Sequence, residues 1–143
     1  MEILPATLRD LNALHKLEHA CFDRDAWSLF DLIAVLTFPE VVRLKAVEDG
    51  LMVGFVAGDP RLSQGFSWIA TIGVLPEYRC RGIGKALLRA CEAGIPTRRI
   101  RLSVRIENSA AIRLYEGERY QRVDVWREYY NDGGDALVME KEK

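Results

Sequence analysis

Thr71-Ile72-Gly73-Val74-Leu75-Pro76-Glu77-Tyr78-Arg79-Cys80-Arg81-Gly82-Ile83-Gly84-Lys85-Ala86-Leu87-Leu88 is the stretch on which the fold turns. It begins as an apolar β-type run, meets a proline, passes Arg79, Arg81, Gly82 and Gly84, and then takes on helical spacing. This is a strand, a glycine-bearing turn and the start of a helix. The first amides of a helix have no acceptor within it and point outward with the positive end of the helix dipole. Gly82 and Gly84 let the chain curl tightly and let a bulky anion approach the main chain without meeting a Cβ. With Arg79 and Arg81 at the rim, the segment is expected to cradle a pyrophosphate.

Two widespread phosphate motifs do not fit. A Walker loop places a glycine five residues before Gly-Lys and a Ser or Thr after the lysine; here Arg79 and Ala86 stand at those positions, so no magnesium ligand is supplied. A dinucleotide fingerprint asks for Gly or Ala where Leu87 stands, and for an acidic residue ending a second parallel strand.

Arg79-Cys80-Arg81-Gly82-Ile83-Gly84, following Ile72-Gly73-Val74-Leu75-Pro76, resembles the first signature of the GNAT superfamily of N-acetyltransferases. The run Asn108-Ser109-Ala110-Ala111-Ile112-Arg113-Leu114-Tyr115 resembles the second, in the family's order and with a strand between them. The resemblance implies acetyl-CoA as cosubstrate. Its pyrophosphate would lie on the amides of Arg79, Cys80, Arg81, Gly82, Ile83, Gly84 and Lys85, its pantetheine along Ile72, Gly73 and Val74, with Asn108 reaching the cofactor. The family continues with Gly-Phe where this chain has Arg119-Tyr120, a departure that puts the turn geometry in question.

Outward from these signatures, the pattern reads β-α-α-β-β-β-α-β-α-β-β. Met1 to Ala6 is a strand; Asp10 starts a helix to Phe22, with Leu11, Leu14, Leu17 and Cys21 on its buried face and Glu18 close to that face. Ser28 caps a helix over residues 29–37 that is apolar nearly all round, so that one side packs in the core or lines a cleft, with Trp27 and Phe30 at its start. Asp49-Gly50 turns a hairpin. Arg99 to Ile106 alternates, with Arg99, Arg101, Ser103 and Arg105 forming a basic face that is either solvated or set against a cofactor phosphate or acidic substrate. Asn108 caps the next helix. Gln121 to Tyr130 and Ala136 to Glu140 form a closing hairpin. The expected fold is α/β (α+β): a mixed, mostly antiparallel sheet of about seven strands flanked by about four helices, in a single domain spanning residues 1–143.

Composition narrows the partners. The 143 residues are 49% hydrophobic, enough for one full core, and 20 basic against 21 acidic residues leave a net charge of −1. That balance gives no global basic field for nucleic acid. No apolar run approaches a membrane span. Cys21, Cys80 and Cys91 lack paired spacing, which fits a reducing cytoplasm and neither a disulfide framework nor zinc. His15-Lys16-Leu17-Glu18-His19 spells His-x-x-Glu-His but lacks a third ligand, so no metal is expected. The protein is expected to be a monomer or a homodimer.

By the resemblance, Tyr115 protonates the departing thiolate. The run from Trp126 to Met139 resembles the ending of RimI-like protein N-terminal acetyltransferases, which implies that Tyr129 and Tyr130 wall an amine groove; Trp27 and Phe30, read from their place at the start of an apolar helix, are candidates for an apolar wall of a substrate site. At Ser103 that subfamily often carries a carboxylate or His; a serine holds only a water, and Glu18 is either the substitute base or a residue of packing and salt-bridging. The acceptor is a protein N-terminal α-amine or a small-molecule amine; a non-catalytic acyl-CoA-binding module is the third reading.

Overall fold

The computed structural model describes residues 1–143, apart from the side chain of Arg24. The elements are β1 (Glu2–Pro5), α1 (Leu11–Phe22), α2 (Leu29–Thr37), β2 (Val42–Glu48), β3 (Leu51–Arg61), β4 (Phe66–Val74), α3 (Ile83–Gly94), β5 (Arg99–Arg105), α4 (Ser109–Gly117), β6 (Gln121–Trp126) and β7 (Ala136–Glu142). This is the order read from the sequence. The strands form one 7-stranded sheet in the order β1-β2-β3-β4-β5-β7-β6, antiparallel except between β4 and β5.

Each face of the sheet buries a helix pair. On one face Ile83, Leu87, Leu88 and Cys91 of α3 and Ile112 and Tyr115 of α4 pack against Ile100, Leu102 and Val104 of β5. On the other, Leu14 and Leu17 of α1 and Leu32, Val35 and Leu36 of α2 pack against Met52, Phe55 and Ala57. Leu87 and Leu88 are fully buried, and truncating either to Ala costs about 2–5 kcal/mol. Of the apolar α2, Phe30 remains 85% exposed. Asp10 precedes α1 without capping it: its carboxylate accepts the N–H of Thr7, whose hydroxyl accepts that of Arg9, and this pair caps the 3-10 turn Leu8–Asp10 that leads into α1. No helix is long and apolar enough to cross a membrane.

The feature that positions the site is a split in the sheet. β4 pairs with β5 only at Phe66↔Arg99, Ser67↔Ile100 and Trp68↔Arg101. Opposite β3, Ala57 pairs with Thr71 and Gly58 with Ile69, so Ala70 is an extra, bulged residue in β4. A bulge bends its strand and sharpens the twist. β5 meanwhile follows β7 without interruption to Arg105↔Ala136. Past Trp68 the two central strands diverge, leaving the β5-facing edge of β4 without a strand partner.

The closing hairpin differs from expectation at one end. β6 stops at Trp126, and Glu128 takes φ 52, a conformation that ends a strand. Tyr129 and Tyr130 therefore lie in the β6–β7 loop, pinned by Tyr130 N–H to the Gly134 carbonyl and Gly133 N–H to the Tyr130 carbonyl. Strand alternation does not govern them: Tyr129 is 53% exposed and Tyr130 half-buried. At the other departure, Arg119 adopts φ 73, the left-handed region a glycine occupies without strain, and the helix-ending turn forms regardless.

Candidate active site

The cradle lies where β4 runs into α3. Cys80 at φ 65 and Gly82 at φ 80 alternate with Arg81, a pattern that curls successive N–H groups toward one point. Gly82 precedes α3 with no side-chain cap, and the first helical amide bonded back is Ala86, to the Gly82 carbonyl. Among the described residues, the amides of residues 80–85 have no protein acceptor. A side chain added at Gly82 would meet nothing within 4 Å, so the glycine answers the backbone angle and not a crowded neighbour. At Gly84 a methyl would make ordinary contacts with Leu114 and Val74. The donor set fits a diphosphate: converging amides at a helix N-terminus, with the exposed Arg81 beside them over the Tyr78 ring. Arg79 is turned differently from expectation. Its Nε donates to the Val74 carbonyl at 3.1 Å, and the Cys21 thiol donates to the same oxygen at 3.3 Å, so Arg79 braces the end of β4.

Tyr115 enters the split from α4 and is 7% exposed. Burial, and secondarily Tyr130, raise its phenol well above the ordinary range. Ser103, on the face of β5 turned away from α3, lies near enough to the Tyr130 phenol to influence it, and Tyr130 in turn acts electrostatically on Tyr115, although the three come from separate segments. Burial raises the Tyr130 phenol too, with Asp25 and Tyr129 adding and Arg105 and Ser103 opposing. Asn108 caps α4, its Oδ1 accepting from Ala111 N–H at 3.2 Å.

On the face away from α3, a cavity of about 250 Å³ is lined by Asp25, Ala26, Trp27, Tyr129, Tyr130 and Asn131. One wall is the α1–α2 loop, the other the β6–β7 loop. Trp27 lines this cavity, whereas Phe30 is not part of the lining. Glu18 lies beneath the first wall, 1% exposed, accepting from the Thr71 hydroxyl at 2.9 Å and the Trp27 N–H at 3.3 Å. Burial raises its carboxyl, against the pull of those two bonds and of His19. Both of its oxygens hold protein groups, so its geometry is that of a brace between α1, β4 and the loop.

Two arginines on the basic face of β5 are consumed within the protein, while Arg99 is exposed. Arg101 pairs with Glu140, and Arg105 with Asp25, Glu107 and Asp132, leaving neither for a cofactor phosphate. Asp25 and Thr71 carried no sequence signal; Arg105 carried one, its place two residues from Ser103 on the same strand face. A second hollow, of about 390 Å³, is lined by Arg89, Glu92, Glu118 and Lys141 among others, and those four charges pair with one another. His15 and His19 face each other at 2.9 Å on α1, and among the described residues no three His, Cys, Asp or Glu side chains converge to hold a metal.

A split sheet with an anion cradle on one side and a walled groove on the other is the architecture of a two-substrate transferase. A profile of the Acetyltransferase (GNAT) family matches residues 10–119, and the chain belongs to that family. It is 31% identical, over 94% of its length and 88% of the other's, to an N-alpha-acetyltransferase of Sulfurisphaera tokodaii. It is 36% identical, over 82% of its length and 77% of the other's, to the N-alpha-acetyltransferase RimI of Mycobacterium tuberculosis. Its fold superposes on the crystal structure of the ribosomal-protein-S18-alanine N-acetyltransferase of Escherichia coli with a TM-score of 0.86 and 26% identity, covering 99% of this chain and 92% of that one.

Proposed function

We propose that this protein transfers an acetyl group from acetyl-CoA directly to the α-amine of a polypeptide N-terminus. The observation that carries the reading is the position of Tyr115: packed in the core on the α3 face, it lies within electrostatic reach of Tyr130, which lines the groove on the opposite face. Acetyl-CoA supplies an acyl group on a good leaving sulfur. The amides of residues 80–85 hold its diphosphate, and the free edge of β4 at Ile72, Gly73 and Val74 aligns its arm.

The absence of a carboxylate or His at Ser103 bears on the choice of acceptor. An α-amine has a pKa of about 7.7–8.0, so roughly a tenth or more is already neutral near pH 7, whereas an alkylamine like that of lysine, near 10.4, is neutral in well under one molecule in a thousand. With both Asp25 oxygens held by Arg105 and both Glu18 oxygens held by Thr71 and Trp27, the site offers no free carboxylate, and so works on α-amines and fails on alkylamines. Ser103 and Tyr130 orient a water that carries the amine proton away. The raised pKa of Tyr115 keeps its hydrogen in place at every working pH. A thiolate of ordinary pKa, about 8.5, is a weaker base than that phenolate, so complete transfer from Tyr115 is uphill; the phenol serves as a hydrogen-bond donor to sulfur as charge develops. Glu18 acts by position, through Thr71 and Trp27.

The test is thiol release from acetyl-CoA over a panel of heptapeptides with free N-termini, amino-acid amides and alkylamines, at pH 6 to 9. Peptides should turn over best, with kcat/KM rising to a plateau near the α-amine pKa. Preference for alkylamines overturns the acceptor, and release with none of them overturns the catalytic reading.

A further inference from the structure

We infer that Arg105 is a positioning residue for the acceptor, its guanidinium tying together the two loops that form opposite walls of the groove. This rests on the groove's being the acceptor site, as proposed above. The walls are residues 23–27, between α1 and α2, and residues 127–135, between β6 and β7, and Arg105 is a stiff post between them. It ends a central strand that is paired with β7 at every residue from Arg99 to Arg105.

Every nitrogen of the guanidinium has a carboxylate partner. Nε and Nη2 donate to Asp25 Oδ2 and Oδ1 at 2.6 and 2.8 Å, a two-point fork onto the first loop. Such forks fix orientation as well as distance. Nη1 faces Asp132 Oδ1 of the second loop at 3.1 Å, and Glu107 Oε1 at 3.3 Å. The cation also lies 4.3 Å from the centroid of the Tyr130 ring. A side chain on Gly134 would fall 2.5 Å from Nη1, so the second loop comes this close only because the residue there is glycine. Lysine, a single point charge, cannot hold both loops and stack on the ring together.

The consequence is specific. Without the guanidinium, Asp25 and Trp27 on one side and Tyr129 and Tyr130 on the other lose their common anchor, while the cradle, α3 and both cores keep every contact described for them. Binding of the acceptor should suffer far more than binding of acetyl-CoA or the fold.

Arg105→Gln, Arg105→Lys, Asp25→Asn and Gly134→Ala, each in the full chain, test this by steady-state kinetics with a heptapeptide acceptor, acetyl-CoA calorimetry and amide hydrogen exchange. In Arg105→Gln the peptide KM should rise at least tenfold, with kcat within threefold and the acetyl-CoA Kd within twofold, and Arg105→Lys should recover part of the loss. Gly134→Ala, which displaces the guanidinium and leaves its charge, should raise KM in the same direction. Asp25→Asn combined with Arg105→Gln should be no worse than Arg105→Gln alone. Exchange should quicken in residues 23–27 and 127–135 together. An unchanged KM, additive effects in the double variant, equal loss of acetyl-CoA affinity, or quickening in one loop only overturns the inference. If the wild-type chain acetylates no peptide, the function proposed above fails, and exchange in the two loops still decides whether Arg105 joins them.

Discussion

The cradle and the groove are built in opposite ways. The cradle is a single run of chain: its donors are main-chain amides between residues 80 and 85, aimed by the positive φ of Cys80 and Gly82. The groove is an assembly of side chains on two loops, joined by Arg105 across a sequence separation of 80 residues to Asp25, and braced by Glu18 across 53 to Thr71. A site made of backbone tolerates almost any side chain and demands particular dihedral angles. A site made of side chains demands particular residues and tolerates backbone change. Substitutions should therefore separate the two regions cleanly.

The largest effect falls where the regions meet. Tyr115→Phe removes one hydroxyl, leaving a ring that still packs against Tyr120 and the α3 core. Loss of a hydrogen-bond donor to the developing thiolate should lower kcat by roughly 10²-fold or more. The acetyl-CoA Kd should stay within about twofold, since the phenol is no part of the cradle. An unchanged kcat removes Tyr115 from the chemistry.

Gly82→Ala strikes the cradle alone. A residue with a Cβ at φ 80 pays about 1–2 kcal/mol of left-handed strain, and relieving it turns the amides out of convergence. Acetyl-CoA affinity should fall about tenfold or more while the peptide KM at saturating cofactor is unmoved. A parallel rise in peptide KM would show that the two regions are not separable.

That contrast also explains what the sequence disclosed. The cradle was legible because strand, proline, glycines and helix start adjoin one another, and each is a local signal. The element order was legible through periodicity and through resemblance. What stayed hidden was tertiary pairing. Nothing local marks Asp25 as the partner of Arg105, and the basic face of β5 looked available because its carboxylates come from β7 and from loops far along the chain. Likewise Glu18, near the apolar stripe of α1, carried the pattern of a half-buried acid; its neighbours Thr71 and Trp27 convert it into a brace. The end of β6 was misjudged because Tyr129 and Tyr130 have strong strand preference, which a positive φ at Glu128 overrides.

Glu18→Gln sharpens the groove side by separating base from brace. A general base would impose its own limb on the pH–rate profile; a brace leaves the profile of kcat unaltered and raises the peptide KM a few-fold. Stability supplies an independent reading. Burial raises the folded-state pKa of Glu18 above its unfolded value, so the folded state binds the proton more tightly and ionisation costs stability as pH climbs from the ordinary carboxylate range through the raised value. The melting temperature of the Gln variant relative to wild type should therefore improve across that window and level off above it. A pH-independent difference, or loss of a limb in the rate profile, overturns the brace.

The smallest effect lies outside both regions and tests whether the backbone rule that governs the cradle holds elsewhere in the same chain. Arg119 sits at φ 73 with an exposed side chain, at the position where Gly82 shows what an unstrained residue looks like. Its conformation is imposed by the end of α4, where Glu118 N–H reaches the Leu114 carbonyl and Tyr120 N–H the Tyr115 carbonyl. Tyr120 follows at once, its hydroxyl donating to the buried Glu92 at 2.7 Å beside Lys141, which fixes the turn from below. Arg119→Gly keeps every one of those bonds and releases the left-handed strain, at the cost of a more flexible unfolded chain. The strain, about 1–2 kcal/mol, outweighs that cost of under about 1 kcal/mol, so the variant should gain a fraction of a kcal/mol to about 1 kcal/mol. In a chain of this size that is a rise in Tm of roughly 1–3 °C, with peptide and acetyl-CoA kinetics unchanged. A fall in Tm would mean that the arginine side chain contributes more in this turn than its exposure indicates.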